Sequence, residues 1–170
     1  MRPTPPTPRY RVLFVCMGNI CRSPTAHGAF EARVREAGLA ERVEVDSAGT
    51  HSDHVGAPPD PRSQAHARRR GVDLSGQRAR QLRARDFDDA DLVLVMDWDN
   101  LAMARALCPP RHAAKLRRFA EFFQRHTSEV VPDPYTGGAA GFEQVLDLVE
   151  DASEGLLAHV RRALASPLAP

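Results

Sequence analysis

The fold is decided by residues 10–24, YRVLFVCMGNICRSP. Tyr10–Cys16 is short, rich in β-branched residues and almost entirely apolar, which is typical of a parallel strand buried on both faces. Residues 17–22 contain one glycine and predict a tight turn. Ser23 and Pro24 then supply a hydroxyl for a helix N-cap and a proline for the first helical position. The stretch therefore predicts a strand, a short loop and a helix in immediate succession.

The same alternation of strands and helices continues to the C-terminus. The later predicted strands are 42–46, 91–96 and 115–119, and the predicted helices are 24–37, 60–70, 100–107 and 141–164. Because this alternation builds parallel sheets with right-handed crossovers, we expect an α/β fold. The 170 residues suit one domain, which we place at 10–165, after a flexible, proline-rich tail at 1–9.

Composition and charge exclude several classes of protein. The chain is 42% hydrophobic and 26% charged, which is typical of a soluble globule. Its net charge of +1 does not favour a nucleic-acid partner. No apolar run approaches the ~18 residues of a membrane span, and no secretory signal is evident. We predict a cytoplasmic protein that binds neither nucleic acid nor membrane. Lys115 is the only lysine, a bias that favours a bacterial source.

Three cysteines are too few for a disulfide framework, and their spacing completes no zinc site. We therefore expect neither a metal nor a cofactor. Residues 62–85 contain eight arginines, which would suit an anion-binding surface or simply a solvated helix and loop. We favour the solvated interpretation.

Residues 17–22, which we call the oxyanion loop, lie where open α/β sheets bind ligands, between the end of a strand and the start of a helix. Backbone N–H groups at such a site can form a nest for an anion. Gly18 and Asn19 tolerate the backbone angles that a nest needs, and the planar guanidinium of Arg22 matches two phosphate oxygens. The sequence predicts a cradle for a tetrahedral oxyanion such as inorganic phosphate. Its predicted residues are Met17, Gly18, Asn19, Ile20, Cys21, Arg22 and Ser23.

Cys16 lies at the mouth of this cradle. The field that attracts phosphate also stabilises a thiolate, and the hydroxyl of Ser23 could donate to the sulfur. A thiolate that faces a bound phosphoryl group is a nucleophile in position. Alternatively, Cys16 is a small buried hydrophobe, the common fate of a free cysteine. The spacing Cys-x5-Arg is weak by itself, but the strand before it and the helix after it favour catalysis.

A phosphate ester also needs a proton donor for its leaving oxygen. Residues 130–138, the acid segment, are VVPDPYTGG. Prolines on both sides of Asp133 stiffen the backbone, so its carboxyl could be held over the cradle as a general acid. Tyr135 would form an aromatic wall for a flat substrate ring. A plain turn is the alternative interpretation.

These residues closely resemble the low-molecular-weight protein-tyrosine-phosphatase family. The resemblance is carried by VCMGNICRSP at Val15–Pro24 and by DPY at Asp133–Tyr135. Weaker matches, including DSAGT at 46–50, extend it over residues 10 to about 162. It implies a three-layer sandwich with a four-stranded parallel sheet flanked by helices. It also implies hydrolysis of phosphotyrosine and aryl phosphate monoesters, with tyrosine-phosphorylated proteins as substrates and without metal.

The resemblance also implies roles for individual residues. Cys16 would attack phosphorus while Arg22 and the loop N–H groups hold the equatorial oxygens. Asp133 would protonate the tyrosine oxygen and then activate water to hydrolyse a cysteinyl-phosphate. Asn19 and Ser23 would shape the loop and support the thiolate.

Two further residues take implied roles. Ser47 would belong to the network that supports the loop. Cys21 would pair reversibly with Cys16 under oxidation and so protect the nucleophile. Alternatively, Cys21 contributes only its backbone N–H.

Two departures from the family pattern stand out. Many relatives carry an aromatic residue in the segment that corresponds to 51–54, where this chain has HSDH. One side of the cleft is then polar, and Asp53 could repel acidic phosphopeptides, although we interpret His51 and His54 as surface residues. Some relatives also have a histidine before the glycine at 71 that joins the loop network, whereas this chain has Arg70.

Two rival functions use the same residues. An arsenate reductase on this fold would also use Cys16, Arg22 and Asp133. That chemistry needs additional cysteines to pass a disulfide outward, and only Cys108 remains. A binding module without activity would be expected to lack the nucleophile or the acid, and both are present. We therefore predict the phosphatase.

Overall fold

The computed structural model describes residues 9–166, so the flexible tail predicted at 1–9 lies outside the described residues except for Arg9. The four strands are β1 (Tyr10–Cys16), β2 (Val43–Gly49), β3 (Leu92–Val95) and β4 (Leu116–Arg118). They form one parallel sheet in the order β2-β1-β3-β4. The apolar run of β1 is therefore central, as its composition predicts.

Helices cover both faces of this sheet. They are α1 (Arg22–Glu36), α2 (Pro61–Arg69), α3 (Asp86–Asp89), α4 (Trp98–Leu107) and α5 (Ala139–Ala165). Two short 3₁₀ turns, Pro110–Lys115 and Phe119–Phe122, flank β4.

Alternate residues of β1 enter two separate cores. Phe14 packs on one face with residues of α1 and α5, and Val15 packs on the other with residues of α3 and α4. This arrangement confirms the three-layer sandwich. It also brings the C-terminal end of β1 and the start of α1 to the same edge of the sheet.

The structure corrects the predicted start of the first helix. Ser23 is not its N-cap, because α1 begins at Arg22 and Cys21 occupies the cap position without a side-chain cap bond. The Ser23 hydroxyl is instead 2.7 Å from Asn19 Nδ2 and 3.1 Å from Cys16 Sγ. The contacts of the oxyanion loop thus override the local capping preference.

The remaining elements differ from the predictions mainly at their ends. Strand β2 continues to Gly49, three residues beyond the predicted end, because it pairs with β1 along its whole length. Helix α3 is missed, since four residues are too few to show a helical period. Asp60 caps α2, and Asp97 caps α4 by accepting a 2.7 Å bond from the Asn100 N–H.

The arginine-rich stretch is only partly solvated. Arg70 contacts three carboxylates of α5, and Arg80 bridges Asp46 and Asp86 at 2.9 and 3.1 Å. Between residues 9 and 166, no helix combines the length and the apolar character that a membrane span requires.

Candidate active site

The oxyanion loop is braced from outside through its carbonyl groups. Cys16 O accepts from the Thr50 N–H at 2.9 Å, Met17 O from the His51 N–H at 3.0 Å, and Ile20 O from the Asp60 N–H at 2.8 Å. Within residues 9–166, the backbone N–H groups of residues 17–22 donate to no other residue. These donors therefore remain available to an anion, as in other backbone nests.

Two positions allow the loop to close tightly against β2. A Cβ atom added at Gly49 would lie only 2.7 Å from Met17 O, so a side chain there would displace the loop. Asn19 has a φ of 57°, a left-handed conformation that asparagine tolerates better than most residues.

Asn19 is buried, and its amide connects the loop to three neighbours. Its Oδ1 accepts from the Arg80 N–H at 3.0 Å, and its Nδ2 donates to Ser47 Oγ at 3.0 Å and to Ser23 Oγ at 2.7 Å. Ser23 Oγ in turn lies 3.1 Å from Cys16 Sγ. A chain of hydrogen bonds therefore runs from Ser47 to the sulfur.

Gln77 also belongs to this network and was missed by the sequence analysis. Its Oε1 lies 3.5 Å from Ser47 Oγ, and its Nε2 donates to Pro24 O at 3.0 Å. Arg70 faces away from the loop, toward Glu143, Asp147 and Glu150 of α5. Gln77, and not Arg70, therefore completes the hydrogen-bond network around the loop.

Arg22 is held at the floor of the site by two further groups. Its side chain is 3% exposed, and Nη1 donates to Asp97 Oδ2 at 2.6 Å and to Val131 O at 3.0 Å. Its Nη2 lies 3.8 Å from Asp133 Oδ2. Asp97 was missed by the sequence analysis, although it follows β3 at the edge where ligands of this fold class bind.

The predicted nucleophile, arginine and acid meet at one pocket of about 60 Å³. The residues that line it are Cys16, Met17, Gly18, Ile20, Cys21, Arg22, His54, Asp133 and Tyr135. Asn19 and Ser23, also predicted to bind phosphate, are not among the lining residues and lie buried beside them.

The acid segment closes one side of this pocket. Asp133 Oδ1 accepts from the Tyr135 N–H at 3.0 Å, which fixes the carboxyl relative to the backbone. The centroids of the Tyr135 and His54 rings lie 6.4 Å apart, and their planes are inclined at 48°. His54, interpreted from the sequence as a surface residue, is half-exposed and lines the pocket, and a Cβ added at Gly18 would lie 3.0 Å from its ring.

Cys21 differs from an exposed thiol. Burial raises the pKa of Cys21 to about 12, an effect that outweighs the opposing hydrogen bond with Ser63. All three cysteines are free thiols in this structure. Across residues 9–166, no three His, Cys, Asp or Glu side chains are grouped closely enough to hold a metal ion.

An anion loop with a cysteine and a buried arginine, set at the edge of a four-stranded parallel sheet, defines a cysteine-dependent phosphatase site. The family model for low molecular weight phosphotyrosine protein phosphatase matches residues 11–166. The chain belongs to this family.

Relatives and solved structures agree with this assignment. A low molecular weight protein-tyrosine-phosphatase of Streptomyces coelicolor is 48% identical over 89% of this chain and 94% of that protein. The human low molecular weight phosphotyrosine protein phosphatase is 36% identical over 79% and 85%. The crystal structure of a protein tyrosine phosphatase from Entamoeba histolytica superposes with a TM-score of 0.88 at 35% identity, over 90% of this chain and 97% of that one. The arsenate reductase alternative is not favoured.

Proposed function

We propose that this protein hydrolyses phosphotyrosine and related aryl phosphate monoesters through a cysteinyl-phosphate intermediate. The observation that carries the proposal is the meeting of Cys16, the buried guanidinium of Arg22 and Asp133 at one small pocket. The substrates are phosphoproteins, and inorganic phosphate, the product, binds in the same cradle.

In the first step, Cys16 Sγ attacks phosphorus as the thiolate. The S–P bond forms as the bond from phosphorus to the tyrosine oxygen breaks, and Asp133 transfers its proton to that oxygen. Arg22 and the N–H groups of residues 17–22 hold the three equatorial oxygens, where transition-state charge is spread. Because Asp97 and Val131 O fix the guanidinium, little reorganisation is needed.

In the second step, water replaces the departed tyrosine. Asp133, now a carboxylate, accepts a proton from the water as its oxygen attacks phosphorus, and the S–P bond breaks to return the Cys16 thiolate. The Ser23 hydroxyl, 3.1 Å from the sulfur, stabilises this leaving group by donating to it. Inorganic phosphate then leaves the cradle.

Tyr135 and His54 both line the pocket and would contact the tyrosine ring of the substrate, as would Met17 and Ile20. His54 gives this chain an aromatic wall despite the polar character of residues 51–54. We expect the imidazole to accept a flat aromatic ring by stacking.

We further propose a bacterial, cytoplasmic enzyme in which oxidation joins Cys16 and Cys21. A peroxide would oxidise Cys16 to a sulfenic acid, and the Cys21 thiol would then displace water to form the disulfide. The high pKa of Cys21 keeps it protonated near neutral pH, so the second step should be slow.

The test is turnover of phosphotyrosine and p-nitrophenyl phosphate at mildly acidic pH, with and without EDTA. We expect Cys16→Ser to abolish turnover while inorganic phosphate still binds, and EDTA to change nothing. The matched control is Cys108→Ser, which alters a half-buried cysteine that is not among the residues lining the pocket and should retain full activity. Turnover by Cys16→Ser at the rate of the unaltered protein would overturn the proposal.

A further inference from the structure

Three planar side chains form a row that begins at the rim of the pocket. The guanidinium carbon of Arg62 lies 5.4 Å from the centroid of the Tyr135 ring and 4.7 Å from that of Phe142. Phe142 is 3% exposed, whereas Tyr135 is 47% exposed. The row therefore joins an exposed wall of the site to a buried residue of α5.

The imidazole of His66 is a fourth planar group that packs against this row. The His66 ring is stacked on Phe142, with centroids 5.7 Å apart and an angle of 9° between the planes. His66 is buried and is hydrogen-bonded to Glu143 through Nδ1. Phe142 is thus a firm base for the guanidinium rather than a mobile ring.

The position of Arg62 is also fixed relative to the oxyanion loop. Asp60 accepts from Arg62 Nε at 3.1 Å and from Nη2 at 2.9 Å, a bidentate pair of defined geometry. The backbone N–H of Asp60 donates to Ile20 O at 2.8 Å. A displacement of Arg62 relative to the loop would have to break one of these contacts.

At its other end, the row reaches the general acid. The Tyr135 ring rests against Arg62, and the Tyr135 backbone N–H donates to Asp133 Oδ1 at 3.0 Å. Contacts therefore run without a break from Ile20 through Asp60, Arg62 and Tyr135 to Asp133.

We propose that Arg62 is a positioning residue that holds Tyr135, and through it the carboxyl of Asp133, in place over the oxyanion loop. The inference rests on the proposed function and deepens its acid step. Arg62 acts through its plane rather than its charge, because the carboxylate of Asp60 already neutralises that charge.

The test uses leaving groups that differ in their need for a proton. Departure of the leaving group is part of kcat/KM, and phenyl phosphate needs the acid more than 2,4-dinitrophenyl phosphate does. We expect Arg62→Ala to lower kcat/KM about 10-fold on phenyl phosphate and less than about 2-fold on the dinitrophenyl ester, a fraction of the full effect of a general acid. Arg62→Lys, which keeps the charge without the plane, should behave like Arg62→Ala.

The decisive comparison is made in an Asp133→Asn background. If Arg62 acts through Asp133, Arg62→Ala should lower kcat/KM there by less than about 2-fold on either substrate. The matched control is Arg68→Ala, an exposed arginine of the same helix, which should have no effect in either background. Circular dichroism tests whether each variant folds. If Arg62→Ala does not fold, Arg62→Lys is used in its place for the comparison of the two esters.

Equal losses on the two esters, an undiminished effect in the Asp133→Asn background, or full rescue by lysine would each overturn the role of Arg62. Failure of the unaltered protein to hydrolyse either ester would instead refute the proposed function, so the two failures are distinguishable.

Discussion

Asp151 is a buried carboxylate that the catalytic proposal does not use, and its loss should destabilise the fold. Its side chain is fully buried in α5 and accepts from the backbone N–H groups of Gln124, Arg125 and His126 at 2.8–3.3 Å. His126 Nδ1 also lies 2.7 Å from Asp151 Oδ2. These hydrogen bonds anchor residues 124–126, in the connection between β4 and α5, to α5.

Asp151→Asn removes several of these contacts while almost preserving shape. In either orientation the new amide NH₂ faces the backbone N–H groups of two residues, so two hydrogen bonds to a charged group are lost. At about 1.5–3 kcal/mol each, the free energy of unfolding should fall by about 3–6 kcal/mol. This is a large part of the ~5–15 kcal/mol that is typical of a domain.

Urea unfolding at pH 7 measures this change, and activity below the transition should be retained. The control is Asp147→Asn, one turn earlier on α5, where an exposed carboxylate pairs with Arg70 at 3.0 Å. A pair at the surface is worth about 0–1 kcal/mol, so that variant should lose little. A loss below about 1 kcal/mol for Asp151→Asn would refute the reasoning.

Acid should remove the same contribution from the unaltered protein. Burial by itself raises the pKa of Asp151, but the hydrogen bonds from His126 and Gln124 outweigh it and hold the pKa well below its ordinary value. A carboxyl with a lowered folded-state pKa stabilises the fold above its unfolded pKa of about 3.9, and this stability is lost as the pH falls further. The stability of Asp151→Asn should therefore depend less steeply on pH below about 4.

Two further predictions concern the site. Asp97→Asn keeps an oxygen for capping α4 but removes the charge beside the buried Arg22. We therefore expect kcat/KM on p-nitrophenyl phosphate to fall about 10-fold or more, which corresponds to roughly 1.4 kcal/mol. The control is Asp99→Asn, which alters an exposed carboxylate of the same helix. An unchanged rate would show that Arg22 needs no partner. Cys21, with a pKa of about 12, should be a thiolate in only about one of 10⁴ molecules at pH 8. Iodoacetamide should therefore leave Cys21 unlabelled in the native protein and label it in urea. Rapid labelling of the native protein would contradict the burial of this thiol.

Local pattern was sufficient to predict the α/β class and the oxyanion loop, whereas the four-stranded, three-layer arrangement was implied by the family resemblance. The apolar run of β1 and the composition of residues 17–22 are contiguous in the chain, so their structural meaning can be read from neighbours alone. The structure places Cys16, Arg22 and Asp133 at one pocket, as the resemblance implied. Their catalytic roles remain predictions.

The missed residues are those whose importance depends on distant partners. Asp97 contacts Arg22 across 75 positions of sequence; it follows β3 at the ligand-binding edge, but only the folded chain shows that it pairs with Arg22 as well as capping α4. Gln77 and His54 lie in loops without a period, so only the folded chain places them against Ser47 and Tyr135. The N-cap prediction for Ser23 failed for a different reason, because its hydroxyl is engaged by the nearby residues Asn19 and Cys16 and not by the helix backbone.

The oxyanion loop and the acid segment lie in different parts of the fold, so the contacts between them determine how the two halves of the site are aligned. The oxyanion loop is fixed by β1, α1 and the segment after β2, whereas the acid segment joins β4 to α5. Among residues 9–166, the contacts that bridge them include those of Arg22 with Val131 O and Asp133, and those of Tyr135 with Arg62 and His54. Disturbing the contacts of Tyr135 should therefore impair proton transfer before it impairs oxyanion binding, because the hydrogen bonds that hold the oxyanion loop through its carbonyl groups do not involve the acid segment.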